Sequence, residues 1–539
     1  MMRGKSVSAV FSVCLVVGCA IGQSSAQSSS PVAPAAAPQL KQVAYLKASN
    51  AEAGDHFGNG GTLNGQSVAI SADGNTMAIG AQNESSGAKG INGNQNDNSA
   101  YSPGAVYVFA RRGNTWAQQA YIKASNPGEG DMFGFVVALS ADGNTLAVSA
   151  YYEASAAKGI NGDQDDDSIP QAGAVYVFTR QGTTWSQQAY IKASNTGEAG
   201  VGNQIGDGDQ FGFSIALSHD GNTLAVGAIA EDSAASGINV NDFQSDNSQI
   251  SSGAVYLFTR SGATWTQQAY IKASNSGAGD LFGYSVALSA NGNILAASSF
   301  DEGGSPRVPN GIPDNRRGGS GVVYVFERTG AAWRQRDYVK GSRSEGADSM
   351  GVSVALSADG SVLAAGVLDE DCTATGVNPP GCDNDREADL SSGAVYVWVR
   401  NGNNWTEQAF LKASNTGQDD WFGSRLAISG DGNSLAVGAQ VEDSAAKGIN
   451  GKQDDDSAEE AGALYLFTRS GTTWTQQSYV KGSNTEAYDE FGGAMALSGD
   501  GKTLVVTARG EDSAAKGVNG NQANNSADEA GAAYVFTNN

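Results

Sequence analysis

An all-β fold, a seven-bladed β-propeller of four-stranded antiparallel blades, is what this sequence predicts, and three observations predict it. One pattern recurs seven times, opened by Asp55, Asp131, Asp209, Asp280, Asp348, Asp420 and Asp489, with a period of about 70 residues, the scale of propellers and solenoids. Each copy reads as short strands separated by glycine-bearing turns, and the chain holds 72 glycines in 539 residues, well above the usual share. The seventh copy ends one strand short, and the missing strand stands at the other end of the chain. There VAYLKASN, at 43–50, matches the QAYIKASN that closes other copies, with Leu40 in the place of their Trp. Pairing this N-terminal strand into the last blade closes the ring and covers two sheet edges that would otherwise invite aggregation.

The elements follow in chain order. Residues 1–22 read as a signal peptide: Arg3 and Lys5 precede an apolar stretch at 7–17 that is too short to span a bilayer. Val16, Val17, Gly18 and Cys19 resemble a bacterial lipobox, under which Cys19 is lipidated. The other reading is cleavage at Ala20 or Ala26 and free secretion. Residues 23–38, rich in Ser, Ala and Pro, form a flexible linker, and 39–539 form the propeller. Either reading exports the chain, to the cell envelope, the outer surface or the medium, with a membrane touched only through an N-terminal lipid.

The third copy shows how a repeat becomes a blade. Residues 214–218 alternate Ile215 and Leu217 with small residues, and Asp220 with Gly221 supplies a hairpin turn before the strand at 224–228. A long polar loop leads to a strand at 253–258, and a turn through Gly262 leads to the last, at 265–273. Small Ala and Gly on the inner strands let blades crowd toward the axis. Trp116, Trp185, Trp265, Trp333, Trp405 and Trp474 recur at one strand start and read as packing residues. Cys372 and Cys382 share one loop, which in an exported chain reads as a local disulfide.

The motifs DQFG, TLAVGA and GAVYVF resemble the FG-GAP repeats of the integrin alpha-subunit N-terminal propeller and its bacterial relatives. The resemblance implies a binding or adhesion role, and such repeats often carry a DxDxDG calcium loop between the first two strands. This chain departs from that loop. Its turns read SADGNT at Ser71 and Ser140 and SHDGNT at Ser218, with too few carboxylates for an ion that wants six to eight oxygens.

Acidic residues number 56 against 32 basic, a formal net charge of -24, so nucleic acid and anionic membrane are excluded as partners by repulsion. Carboxylates gather in the long loop, which opens with Glu84, Glu153, Glu231, Glu302, Glu370, Glu442 and Glu511. Glu153 with Asp165, Asp166 and Asp167, and Glu442 with Asp454, Asp455 and Asp456, are candidate calcium ligands, calcium being the one cofactor considered. The competing reading gives the recurring Glu and Asp structural hydrogen bonds. Blade four replaces the acids with Arg307, Arg316 and Arg317, which either bind a partner or are drift in a tolerant loop. His56 and His219 are the two histidines, one within a DxFG copy and one before a hairpin Asp, where neighbouring copies carry other residues, so an enzyme is not expected. The expected function is a monomeric, exported or surface-anchored module that binds a protein or glycan through loops on one face. The alternatives are a polysaccharide hydrolase or lyase with its site in an acidic central cleft, or a structural envelope component.

Overall fold

The computed structural model describes residues 40–59, 65–197, 208–239, 244–303, 318–382 and 390–538. Their strands form seven four-stranded antiparallel sheets around a central channel, as the repeat count predicts. In blade three the strands are Phe211–Leu217, Thr223–Ala228, Ala254–Ser261 and Thr264–Ile271. Thr223–Ala228 is buried along its whole length, which is why it reads as a continuous run of small and apolar residues. The turn before it is held locally, with Asn222 N–H donating to Asp220 Oδ1 at 2.9 Å and Thr223 N–H to Ser218 Oγ at 2.9 Å.

Crowding between neighbouring blades is measurable at two glycines. A Cβ on Gly227 would sit 2.1 Å from the carbonyl oxygen of Gly283 in the next blade. One on Gly253 would sit 2.2 Å from the Phe282 carbonyl oxygen, and Gly253 also has φ +76°, a conformation that glycine adopts without a steric penalty.

The ring closes twice. Leu40–Leu46 pairs with Ala532–Asn538 as the outer strand of blade seven. In this register Tyr45 faces Tyr534 and Leu40 faces Asn538, matching Tyr270 with Tyr256 and Trp265 with Arg260 in blade three. On the face of the first hairpin turns a second closure runs through main chain alone. Ala72, Ala141, His219, Ala290, Ala358, Gly430 and Gly499 each donate N–H to the counterpart carbonyl in the next blade, at 2.7 to 3.0 Å, Gly499 donating back to Ala72.

Neighbouring blades are also stapled at their outer strands. Arg180 lies over the Trp185 ring at 5.3 Å, and both donate to Gln119 Oε1 of the preceding blade, at 3.1 and 3.0 Å. The same trio recurs as Arg260, Trp265 and Gln188 and as Arg328, Trp333 and Gln268. The tryptophans therefore pack as expected, with a polar latch the sequence did not announce. At the seam Leu40 and Asn538 replace Trp and Arg, Val43 stands in the Gln position, and the buried Trp116 Nε1 has no hydrogen-bond partner among the described residues. Val43→Gln is expected to supply that acceptor and stabilise the domain by about 1 kcal/mol, read as a raised melting temperature.

Candidate functional site at the channel mouth

The face opposite the hairpin turns carries the turns between blades and the long acidic loops. The glutamate that opens each loop is buried in it. Glu153 Oε1 accepts from the Tyr190 hydroxyl at 2.8 Å and Asn126 Nδ2 at 3.0 Å, and Oε2 from Lys192 Nζ at 2.7 Å and Ser155 N–H at 3.2 Å. Glu84, Glu231, Glu442 and Glu511 repeat this set with Lys123, Lys272, Lys481 and Lys47. The lysine is the last polar residue of the fourth strand's AYIK sequence, and Asn126 arrives from the connection out of the preceding blade, so one carboxylate ties loop, sheet and neighbour together. In blade seven the tyrosine and lysine are Tyr45 and Lys47 of the N-terminal strand.

This assignment changes the sequence-based grouping of calcium candidates. A carboxylate offers about four acceptor positions, and those of Glu153 and Glu442 are taken by protein donors. Asp165, Asp167, Asp454 and Asp456 stay exposed on their loops, with Asp166 and Asp455 half-buried. Asp166 accepts from Ser168 N–H at 3.0 Å and Asp455 from the Ser457 hydroxyl at 2.7 Å. Among the described residues no three His, Cys, Asp or Glu side chains converge to hold a metal. Cys372 and Cys382 are joined in a disulfide, with Cα atoms 5.2 Å apart. Cys19, Arg307, Arg316 and Arg317 lie outside the described residues.

The aspartate that opens each repeat also works within the fold. Asp131 accepts from Gly128 N–H at 2.7 Å and Asp420 from Gly417 N–H at 2.6 Å, each closing a tight turn. Burial, aided by the neighbouring Glu, pushes Asp55, Asp131, Asp348, Asp420 and Asp489 up to about 7, against the backbone bond that lowers them. An acid whose folded pKa is raised contributes stability that is complete below its unfolded value of about 4 and fades as pH rises through the folded value. The melting temperature is therefore expected to fall between pH 5 and about pH 8, and Asp420→Asn, which keeps the acceptor and removes the proton, is expected to flatten that fall.

Toward the axis the repeats stop being alike. Two positions flank the channel mouth in every blade: the residue after the FG pair, and the residue after the second strand. Blades two to four fill five of these six places with aromatics and the sixth with Ile229. Phe135 packs on Tyr151 at 4.1 Å, Phe213 on Tyr284 at 5.2 Å, and Tyr284 on Phe300 at 4.4 Å with planes 15° apart. Phe135 and Phe213 join the arc across blades at 5.7 Å. Blades six, seven and one fill the other side with polar groups. Arg509 forms a two-point ion pair with Glu490, and His56 Nε2 lies 3.2 Å from Glu529. Burial lowers the His56 pKa, opposed by Glu529 and helped by Arg509, so the imidazole is neutral at pH 7. Gln82 is 7% exposed, and its Oε1 has no hydrogen-bond partner among the described residues.

Arg425 joins the two sides. It starts the inner strand of blade six where the counterparts are Ser214, Ser285 and Ser353, and it is 2% exposed, donating to the Ser424 carbonyl at 2.8 Å. Burial holds its pKa down at about 10, with Arg509 acting in the same direction and the Glu490 carboxylate favouring the cation. Below it all seven inner strands line a cavity of about 290 Å³. Sequence reasoning missed this mouth, because its residues are single departures scattered over the chain, and only their shared repeat position marks them.

A family model described as FG-GAP repeat matches residues 116–178, 265–326, 405–467 and 474–536, each match starting at the tryptophan of one blade's outer strand and ending on the third strand of the next. The chain is an FG-GAP repeat propeller. No curated protein is similar to it in sequence. Among solved structures the FG-GAP propeller is similar to the RRP9 WD40 repeats, at 9% identity and TM-score 0.45 over 91% of this chain and 99% of that one. It is also similar to the periplasmic gluconolactonase PpgL of Pseudomonas aeruginosa, at 13% identity and TM-score 0.42 over 78% and 86%.

Proposed function

We propose that this FG-GAP propeller is an exported binding module that recognises a protein or glycan through the face bearing the channel mouth. One observation carries the reading. Departures from the repeat that bring aromatic or charged side chains together, Tyr151, Phe213, Phe300, Arg425 and Arg509 among them, gather at one mouth, while the opposite rim is a ring of backbone bonds that ignores side-chain identity. A symmetric scaffold needs such a singular patch to hold one ligand in one pose. Arg509 is held in an ion pair with Glu490, which suits recognition better than proton transfer.

The N-terminal residues support export, either with a lipid on Cys19 or by free secretion after Ala20 or Ala26, and Arg307, Arg316 and Arg317 are either a second partner site or drift in a tolerant loop. Probing a combined glycan and protein array with residues 39–539 tests the function: a ligand lost on Phe300→Ser supports it, and an array on which nothing binds defeats it. Melting the same domain in calcium and in excess chelator tests the Asp165 to Asp167 and Asp454 to Asp456 loops, an unchanged midpoint removing the ion.

A further inference from the structure

We infer that the channel mouth is a saccharide subsite, in which the apolar face of an uncharged sugar ring stacks on the aromatic arc while its hydroxyls meet Gln82, Arg509 and Glu490. The inference rests on the binding reading above and adds the ligand's chemistry. Three features select that chemistry. Tyr151, Tyr152, Phe213 and Phe300 remain partly exposed although they pack on one another, so the arc offers open ring surface at the rim of a buried cluster. A sugar ring has the C–H face that such a surface takes up, as amphipathic partners of aromatic rings do.

Across the channel the groups are planar and hydrogen-bonding, and guanidinium and carboxylate stand side by side. Arg425 and Arg509 are set against Glu490, Glu460 and Glu529, with Glu459 and Asp528 close by. The excess of carboxylates opposes an anionic ligand, and hydroxyls, which donate and accept, match amide, guanidinium and carboxylate together. The third feature is Gln82. It occupies the repeat position from which Tyr151 and Phe300 reach the arc and Arg509 reaches Glu490, and its buried carbonyl oxygen is left without a donor among the described residues. An orphaned buried acceptor is costly, and a turn of the Gln82 amide that brings it to a ligand hydroxyl at the mouth relieves it.

The test uses residues 39–539 and three probe sets: neutral hexose and N-acetylhexosamine oligosaccharides, uronate oligosaccharides, and lysine- and arginine-rich peptides. Titration calorimetry is run on the parent and on Gln82→Ala, Phe300→Ser and, on the opposite face, Arg112→Ala, each checked for an unchanged circular dichroism spectrum. The expected result is binding of a neutral oligosaccharide that weakens by about tenfold or more in both mouth variants and is unaltered in Arg112→Ala. Neutral binding indifferent to both mouth variants overturns the inference. Binding confined to peptides or uronates, yet lost in those variants, overturns the saccharide class and leaves the binding mouth standing. If no probe binds, both readings fall.

Discussion

Replacing Glu231 by Ala is expected to cost about 3–5 kcal/mol of stability, the usual penalty for stripping one partner from a buried ion pair. Lys272 is wholly inaccessible to solvent, and its ammonium rests 2.7 Å from Glu231 Oε2. Without the carboxylate that charge loses its contacting partner in a place water does not reach, with Asp232 and Asp209 left as the remaining counter-charges. The Tyr270 hydroxyl and Asn195 Nδ2, which donate to the other oxygen at 2.7 and 3.0 Å, lose their acceptor too. Urea unfolding of the variant should show the drop, and the double variant Glu231→Leu with Lys272→Met should recover most of it, since a well-packed apolar pair of similar volume is often neutral. A single-variant loss under about 1 kcal/mol would mean that water reaches the pair in solution.

Deleting residues 40–50 is expected to have a larger effect still, abolishing cooperative unfolding of the domain. The segment supplies the outer strand of blade seven, the buried Tyr45, Leu46 and Ala48, and both Tyr45 and Lys47 of the Glu511 network. Its loss bares the edge of Ala532–Asn538 and leaves Glu511 buried without its cation. Hydrogen exchange should show protection lost first in blades seven and one, and a synthetic peptide of sequence LKQVAYLKASN should restore it. A truncated domain that unfolds with the parent's midpoint and slope would show that the main-chain ring alone holds the circle.

Much of this was legible in the sequence, for a physical reason. Seven copies, four strands each, and the displaced eleventh-hour strand at 40–46 were all visible, because a repeat multiplies every weak local cue. The candidate site was not legible in the same way. Glu153 announces itself by recurrence, but its partner Lys192 lies far along the chain at the end of another strand, and nothing in the spacing says that the two meet. Recurrence of the lysine in KASN was the cue that could have paired them. The mouth is harder, because Phe135, Phe300, Arg425 and Arg509 become neighbours only after the ring has closed and each repeat position has been brought to the axis.

The division of blade seven between the two ends of the chain also sets the order of assembly. A polypeptide made from its N-terminus produces Leu40–Leu46 before every other strand of the propeller and its mate Ala532–Asn538 after them all, so the clasp stays open until the whole ring has been made. Such wide sequence separation within one sheet slows the final docking step, so blades one to six can be complete before the ring is drawn shut.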